Sequence, residues 1–578
     1  MSELSYQEQL LQYLKDQLAF EEADIEAHMQ MSPEEKAANG LLIEGEVIDS
    51  NGHDYILRVV EDNSKVRVGD KVKISAGRHH GVGRISDIGM DELTVASDVE
   101  LPTDEAVKLE IMEFIFLQPM INLMEEIVDA ARPGQAFIDI LEGIRAPKSR
   151  GLGALPPIDW TDMYDHLNAM QKRVIEEACQ RPSVYCIQGP PGTGKTAVLS
   201  QIANEFASNG KEVLVIANTH QAVNNALNKI ASLHPNFNVV KIGETIQASQ
   251  LYPNIYVADN YTSYIQERKS IHMLDNGDVV GMTLHAAIVN LGLRNTGFKP
   301  QIVLVDEAGQ IPMAYASIIG SFGCGSIVFI GDDKQMPPIF HPNLAGHPFS
   351  TSIFKYLCEK YPELRKTLNV TYRMNDEITS IVSSCFYDTP DKSGIIESSV
   401  VSAKRRANFA SLQGIIDPRI KEALLSEESV VVMDVTPDNV EGRGFTDDNI
   451  FEANFLAEIA KIFDMNGIPS RDYAIITPYR RQVKLIRALV GEENAPLINT
   501  VECLQGQDVE TILISFVSSN PSYIHSQLEF LLNLNRLNVM ISRAKTKVII
   551  LMPKLLQNEL FNRLPNLATQ ISGLKIIE

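Results

Sequence analysis

The spacing of apolar residues changes along the chain and divides it into segments with different predicted structures. Near the N-terminus leucines recur every four residues, which predicts an amphipathic helix over 5–31. From residue 41 apolar and polar residues alternate in short runs separated by turn residues, which predicts a small β-barrel over 41–98. The runs are LLIEGEVID, YILRVV, KVRVGDKVKI, GVGRISDI and ELTVAS.

A second helical pattern follows the predicted barrel. It covers residues 105–131, EAVKLEIMEFIFLQPMINLMEEIVDAA, where the spacing predicts another helix. The barrel therefore lies between two helices, which we assign to a stalk made of residues 1–40 and 99–135. A connector rich in proline and glycine, RAPKSRGLGALPPIDW, leads into the next domain.

Beyond residue 167, short apolar runs alternate with helical patterns, which is typical of parallel sheets covered by helices on both faces. A first set of runs is VYCI, EVLVIA, VVGM, QIVLVDE and SIVFIGD; a second set is SVVVMDV, YAIITPY, TILISFV and KVIILM. The two sets predict the α/β fold class, with tandem parallel-sheet domains over 136–345 and 346–578.

Composition narrows the class of protein. The chain has 578 residues, 44% of them hydrophobic, no apolar run long enough to span a bilayer, and no N-terminal pattern typical of a signal peptide. We expect an intracellular protein of the cytoplasm, or of the nucleus in a eukaryotic cell, with no membrane partner. Its six cysteines show no metal-ligand spacing, which favours reduced thiols.

The charge is strongly acidic. The formal net charge is -23, and the first fifty residues carry twelve Asp and Glu against Lys15 and Lys36. This balance argues against a protein held to nucleic acid by its overall charge, although it leaves room for a local basic groove.

One segment matches a phosphate-binding loop in full. GPPGTGKT follows the run VYCI and precedes the helical pattern AVLSQIANEFA. The alternative, a chance glycine-rich turn, does not account for this strand–loop–helix context. The glycines let backbone N–H groups face phosphate oxygens, the lysine reaches the β- and γ-phosphates, and the threonine hydroxyl is a Mg²⁺ ligand. The candidate nucleotide-binding residues are Gly189, Pro190, Gly192, Thr193, Gly194, Lys195 and Thr196.

Two later strand ends supply polar groups for the same site. IVLVDEAGQ places Asp306 as a second metal ligand and Glu307 as the group that activates water, and FIGDDKQMPP places Gln335 beside them. A lone Asp-Glu pair is normally a solvated strand end. Here it follows a complete phosphate loop, and carboxyl ends of parallel strands meet at one edge of a sheet, so we predict a shared catalytic site.

A pair of arginines near the C-terminus also requires an explanation. Arg536 and Arg543 lie seven residues apart in LNRLNVMISRAKTKVII, so on a helix both would leave one face. Surface ion pairs are the ordinary role of single arginines. We instead predict that Arg543 reaches the γ-phosphate when the second domain closes on the first.

Together the motifs resemble superfamily 1 helicases, specifically the up-frameshift and immunoglobulin-mu-binding-protein-like group of superfamily 1B, over roughly residues 165–552. The resemblance implies two RecA-like P-loop domains and a barrel over a nucleic-acid channel. It also implies ATP and Mg²⁺ as cofactors, single-stranded DNA or RNA as the partner, 5′→3′ polarity, and a monomeric motor.

The resemblance further implies roles for residues around the nucleotide. Gln171 in LNAMQ would recognise adenine, while Tyr372 and Arg373 in NVTYRMND would stack on the base and reach the γ-phosphate. Gly506 in TVECLQGQDVETILIS would contact the nucleotide. Arg543 would be the arginine finger, in a segment where Asn535 replaces the first of two paired arginines.

Nucleic-acid contacts are implied in the same way. Thr219 in IANTHQAVNNAL, Thr283 in VVGMTLHAA and Thr500 in TVECLQ occupy the matching motifs. The family has Asn and Asp at the positions of His220 and Asn224 in the first of these segments.

The sequence leaves several functions open. The first is an ATP-dependent helicase or translocase, and the alternative is a nucleic-acid-stimulated ATPase clamp or switch that remodels complexes without processive unwinding. A third, a GTPase or small-molecule kinase, is disfavoured by Gln171, Tyr372 and the second α/β domain. The sequence does not distinguish DNA from RNA, because selection of RNA depends on contacts to the 2′-hydroxyl.

Overall fold

The computed structural model divides the chain into two units, residues 1–129 with 340–347, and residues 130–339 with 348–578. The residues it describes are 4–59, 66, 70–88, 92–103, 106–112, 117–129, 134–151, 153–160, 164–233, 238–243, 250–270, 278–296, 298–322, 325–388, 394–436, 444–491, 495–504, 508–569 and 574–577. Among these residues, no helix combines the length and apolar character needed to cross a bilayer.

The first unit contains a closed antiparallel barrel in the strand order β1-β2-β5-β4-β3-β6. Apolar side chains alternate with polar ones and fill its interior, for example Leu57, Ile74 and Val95. The predicted small barrel is therefore confirmed. Its strands are β1 (Leu42–Asn51), β2 (Asp54–Val59), β3 (Lys71–Ala76), β4 (His79–Ile88), β5 (Glu92–Ser97) and β6 (Ala106–Ile111).

The sixth strand corrects the prediction of a helix over 105–131. The segment AVKLEI buries Val107 and Leu109 in the barrel and packs Ile111 against the same core, so its period is two rather than 3.6. It pairs with both β1 and β3 and closes the barrel. The barrel therefore extends to Ile111, beyond the predicted limit of residue 98.

The described part of the first unit also contains the helices α1 (Tyr6–Gln30), α2 (Pro33–Ala38) and α3 (Leu117–Asp129). Ser5 and Glu8 form a capping box at the start of α1, which explains why this helix begins there. Lys15 of α1 pairs with Glu125 of α3 at 2.7 Å, so the two predicted stalk helices lie side by side.

The second unit begins with a parallel sheet in the order β10-β9-β11-β8-β12-β13-β7-β14. Its strands are β7 (Val184–Gln188), β8 (Val213–Ala217), β9 (Val239–Ile242), β10 (Tyr256–Ala258), β11 (Val279–Thr283), β12 (Ile302–Val305), β13 (Ile327–Gly331) and β14 (Arg365–Thr367). Its helices are α4 (Gln135–Glu142), α5 (Ala169–Cys179), α6 (Lys195–Ser208), α7 (His220–Leu233), α8 (Tyr261–Ser270), α9 (Leu284–Val289), α10 (Ala316–Ser321) and α11 (Ile353–Lys360).

A second parallel sheet follows in the order β19-β18-β20-β21-β17-β22. Its strands are β17 (Val430–Met433), β18 (Tyr473–Ile476), β19 (Leu497–Asn499), β20 (Val509–Ser515), β21 (Ala544–Leu551) and β22 (Leu574–Ile577), preceded by the short pair β15 (Val370–Thr371) and β16 (Glu397–Ser398). Its helices are α12 (Asp376–Val382), α13 (Pro418–Leu425), α14 (Ile450–Met465), α15 (Arg480–Val490), α16 (Pro521–Leu531), α17 (Leu534–Ser542), α18 (Lys554–Arg563) and α19 (Pro565–Thr569).

Each sheet is apolar on both faces and covered by helices, as the continuous apolar runs predict. The tandem α/β fold is confirmed. One strand departs from the predicted division at residue 345, because β14 (Arg365–Thr367) pairs with β7 of the first sheet. The first parallel-sheet domain therefore extends to Thr367.

Candidate active site

The phosphate loop lies between β7 and α6, and three of its glycines are close to other side chains. A Cβ on Gly189 would come within 2.1 Å of the Lys195 side chain, and one on Gly192 within 2.4 Å of Arg373 Cβ. Gly192 and Gly194 also have φ values of 72° and 85°, which favour glycine. These glycines let the loop pass close to its neighbours at the N-terminus of α6, where an anion is stabilised.

Gln171 lies behind this loop, in the first turn of α5. Its Nε2 donates to Thr193 O at 3.0 Å, and its Oε1 accepts from the Asn168 N–H at 2.9 Å. The side chain is 2% exposed and is absent from the lining of the cleft. In this structure the carboxamide fixes the phosphate loop, and adenine recognition by Gln171 stays a prediction.

Two acidic side chains follow β12 at the edge of the first sheet. The Asp306 carboxylate accepts from the Glu307 N–H at 2.9 Å, and burial together with the neighbouring Glu307 raises the pKa of Asp306 to about 7. Glu307 has a left-handed φ of 49°, which is uncommon outside glycine and occurs at functional sites. This backbone conformation presents Glu307 to the cleft.

Gln335 follows the neighbouring strand β13. Its Nε2 donates to Asp332 Oδ2 at 2.6 Å, and its Oε1 accepts from Arg543 Nη2 at 3.4 Å. Arg543 belongs to the second sheet's domain. The structure therefore places the predicted finger beside the predicted strand-end glutamine.

A segment of the second domain also contacts the phosphate loop directly. The Tyr372 N–H donates to Gly192 O at 2.8 Å, and Thr371 Oγ1 donates to Pro191 O at 2.8 Å. Tyr372 is 38% exposed at the mouth of the cleft, where its hydroxyl accepts from Asn168 Nδ2. The position predicted for base stacking is therefore accessible to a ligand.

Arg373 and Arg543 lie in the same buried region. Arg373 Nη1 donates to Ser542 O at 3.1 Å, and its Nε lies 3.9 Å from Asp508 Oδ2. Burial lowers the pKa of both arginines, and for Arg543 burial and the nearby Arg373 lower the pKa to about 10. Two cations held together in this way favour an anion between them.

Arg536 does not join that pair. Its Nη2 donates to Glu502 Oε1 at 2.7 Å, and its guanidinium lies 4.0 Å from the centre of the Phe530 ring. Helix α17 ends at Ser542, and Arg543 is its C-cap, with helical φ and ψ values. The ion-pair alternative therefore applies to Arg536.

One cleft of about 670 Å³ lies between the two parallel-sheet domains. It is lined by the phosphate loop, Asp306, Glu307, Gln335, Tyr372, Arg373 and Arg543. Further polar residues line it, among them Arg405, Asp508 and Lys545. Arg405 Nη1 donates to Tyr372 O and Arg373 O, so it also fixes the segment that touches the phosphate loop. Arg405 lies in the basic stretch AKRRA, which was the sequence feature that could have indicated it. Gly506 lies outside the described residues.

Comparison with known proteins shows what the chain is similar to. Two family models, both described as an AAA domain, match residues 166–353 and 349–554. The chain is 27% identical over 573 residues to the DNA replication ATP-dependent helicase/nuclease DNA2 of Saccharomyces cerevisiae, across 89% of this chain. It is 25% identical over 552 residues to the uncharacterized ATP-dependent helicase MJ0104 of Methanocaldococcus jannaschii, across 80% of this chain and 79% of that protein. These matches confirm the predicted resemblance to superfamily 1 helicases.

The chain spans only part of the longer relatives. It covers 36% of the S. cerevisiae protein. Among solved structures, a crystal structure of Arterivirus nonstructural protein 10 (helicase) aligns with 90% of this chain and 78% of its own at 11% identity and a TM-score of 0.40. Structural similarity at that level carries no weight.

The threonines predicted to contact nucleic acid lie at or just after strand ends. Thr219 lines the cleft, and its hydroxyl accepts from the Ala222 N–H at 3.2 Å. Thr283 is 3% exposed, and its hydroxyl caps α9. Because β11 pairs with β8, Thr283 lies beside Ala217 at the same sheet edge as Thr219. Thr500 follows β19 and is 9% exposed.

The residues around the phosphate loop fit a Mg²⁺–nucleotide. Carboxylate and hydroxyl oxygens are the ligands that Mg²⁺ takes in such sites, and Asp306 and Thr196 supply them around the same cleft. The glycine cradle excludes side chains from the space that phosphate oxygens need. The chain therefore has a donor set suited to this cation.

Proposed function

We propose that the chain hydrolyses ATP to move along single-stranded DNA or RNA and to unwind duplexes, with 5′→3′ polarity. One observation carries the proposal: Arg543 of the second domain lies 3.4 Å from Gln335 of the first, in a cleft that also holds the phosphate loop. A site divided between two domains makes hydrolysis depend on their closure. Small-molecule kinases and simple GTPases do not require a second α/β domain.

Each residue of the cleft has a chemical task in this mechanism. Lys195 and the N–H groups of its loop hold the β- and γ-phosphates, and Glu307 orients the attacking water. Arg373 and Arg543 stabilise the charge that develops on the transferring phosphoryl group. When Mg²⁺ is bound, held by Thr196 and Asp306, it neutralises phosphate charge.

Coupling to nucleic acid is supported by the position of Thr219. It follows β8, one strand away from the acidic residues after β12, and it lines the same cleft as the phosphate loop. A change in the cleft would therefore reach the first turn of α7 directly. We propose that Thr219, Thr283 and Thr500 contact the backbone of the strand, and that the helicase works as a monomer.

Strand displacement tests the proposal against the clamp alternative. The full chain is mixed with ATP, Mg²⁺ and duplexes that carry a 5′ or a 3′ single-stranded tail, and Lys195→Ala is the control. We expect displacement of the 5′-tailed duplex by the wild type alone. ATP hydrolysis stimulated by single strands, without displacement of either duplex, would favour the clamp.

A further inference from the structure

A tyrosine of the second domain binds the strand end that carries Gln335. Tyr387 closes a π-helical turn, Ser383–Tyr387, and its side chain is 1% exposed. Its hydroxyl donates to Asp332 Oδ2 at 2.5 Å and accepts from Asn538 Nδ2 at 2.9 Å. Asp332 belongs to the first domain and Asn538 to the second, so the hydroxyl bridges them.

Helix α17 holds the backbone of the same strand end. Asn538 Nδ2 also donates to Lys334 O at 2.7 Å, and Asn535 Nδ2 donates to Asp333 O at 3.1 Å and to Gln335 O. The two asparagines are three residues apart and therefore lie on one face of α17. At the position of Asn535 the superfamily 1 helicases that the chain resembles have an arginine. In this chain the Asn535 side chain binds the backbone of the strand end that carries Gln335.

Asp332 in turn decides which way Gln335 points. Its Oδ2 accepts both the Tyr387 hydroxyl and Gln335 Nε2, so the carboxamide oxygen of Gln335 is left to face Arg543. An Asp332 that carried a proton would donate to that oxygen and favour the opposite orientation. The orientation of Gln335 therefore depends on a fixed, ionised Asp332.

We propose that Tyr387 is a positioning residue, whose hydroxyl fixes the Asp332 carboxylate, and through it Gln335 against Arg543, only when the second domain is docked on the first. The proposal deepens the ATPase proposed above and rests on it. Tyr387 is absent from the residues that line the cleft, so it acts on the reacting atoms only through other side chains. It would make hydrolysis sensitive to domain closure at a second point, beside the arginine finger.

The electrostatics of Asp332 give a signature that a purely structural tyrosine would lack. Burial raises the pKa of Asp332 to about 6; Lys195 and the hydrogen bonds from Tyr387 and Gln335 oppose the rise, and Asp333 adds to it. Loss of the hydroxyl removes one opposing contribution, so the pKa of Asp332 rises further. Activity that needs ionised Asp332 is lost as pH falls through this pKa. Without the Tyr387 hydroxyl, that loss would therefore begin at a higher pH than in the wild type.

The test compares Tyr387→Phe with Tyr264→Phe in the full chain. Tyr264 offers the same chemistry elsewhere, since its buried hydroxyl donates to Asp278 Oδ2 at 2.7 Å and lies outside the cleft lining. Loss of one buried hydrogen bond to a charged group corresponds to roughly tenfold in rate. For Tyr387→Phe we expect kcat to fall about tenfold, KM for ATP to change little, and the acid limb of the kcat–pH profile to move to higher pH. Tyr264→Phe should change none of these.

Three results would overturn the inference: wild-type kcat and pH profile in Tyr387→Phe, a rise in KM alone, or an equal loss of kcat in Tyr264→Phe. An inactive wild-type chain would refute the proposed function and this inference with it, whereas an active wild type with an unaffected Tyr387→Phe refutes the inference alone. If Tyr387→Phe does not fold, Asp332→Asn keeps the size of the side chain and removes the ionised carboxylate that accepts from Tyr387 and Gln335. We expect kcat to fall and the acid limb due to Asp332 to disappear, and a wild-type kcat and pH profile in that variant would overturn the inference.

Discussion

Replacing Arg543 by alanine is the sharpest test of an ATP site formed by residues of both parallel-sheet domains. Although burial lowers its pKa, a pKa of about 10 keeps the guanidinium protonated at neutral pH. The variant therefore removes a full positive charge beside Gln335. An arginine finger contributes at least about 10³ to the rate of phosphoryl transfer, so we expect hydrolysis to fall by a factor on the order of 10³.

Binding of ATP and stability should change far less than the rate. The phosphate loop and Tyr372 are untouched, and removal of one of two neighbouring buried cations relieves the repulsion between Arg543 and Arg373. The assay is single-turnover hydrolysis with saturating single strands, together with titration of a fluorescent ATP analogue and a thermal melt. Arg543→Lys keeps the charge without the planar fork and should give an intermediate rate.

Arg536→Ala is the matched control, since the same residue type is removed seven positions earlier. Arg536 pairs with Glu502 and stacks on Phe530, both partly exposed to solvent, so the loss should cost no more than about 1 kcal/mol of stability. We expect a lower melting temperature and nearly normal hydrolysis. Wild-type turnover in Arg543→Ala, accompanied only by a lower melting temperature, would refute the two-domain site.

The remaining predictions concern the phosphate loop, the polymer and the barrel. Lys195→Ala should fold and yet not hydrolyse ATP; normal turnover by the folded variant would place the phosphate site elsewhere. Binding of single strands, measured by fluorescence anisotropy, should weaken with salt at a log–log slope of about -0.7 per contacted phosphate despite the acidic chain, and salt-independent binding would contradict phosphate contacts. Replacing residues 42–111 by a short Gly/Ser linker should spare ATPase without polymer and reduce unwinding more than hydrolysis; the strand ends permit it because Leu42 pairs with Glu110. Equal unwinding of a tailed duplex by that variant would exclude the barrel from the motor.

The sequence predicted the elements whose pattern is local and strong. The phosphate loop and the central strands of both sheets are continuous apolar runs with turn residues at their ends, and the structure has them where predicted. Strand β6 was missed because six residues of alternating pattern precede a true helix, and only pairing with β1 and β3 decides between the two periods. The short edge strands β14 and β22 likewise exist through their partners.

The same distinction between local patterns and distant contacts applies to the candidate site. Residues within a motif lie together because each motif follows one strand of a parallel sheet, as for Asp306 and Gln335. The link from Tyr387 to Asp332 joins positions 55 residues apart in different domains, and nothing in either segment alone indicates it. Gln171 was predicted from its motif to recognise adenine. In the structure, however, both ends of its carboxamide are hydrogen-bonded to Asn168 and Thr193.

The central claim is that one cleft, completed by two domains, hydrolyses ATP in response to a nucleic-acid strand. The most direct measurement is the steady-state ATPase rate of the full chain with no polymer, with single-stranded DNA and with single-stranded RNA, each in the presence of Mg²⁺. We predict strong stimulation by at least one polymer, and its loss in both Lys195→Ala and Arg543→Ala. A rate unchanged by either polymer, or stimulation that survives in Arg543→Ala, would contradict the account.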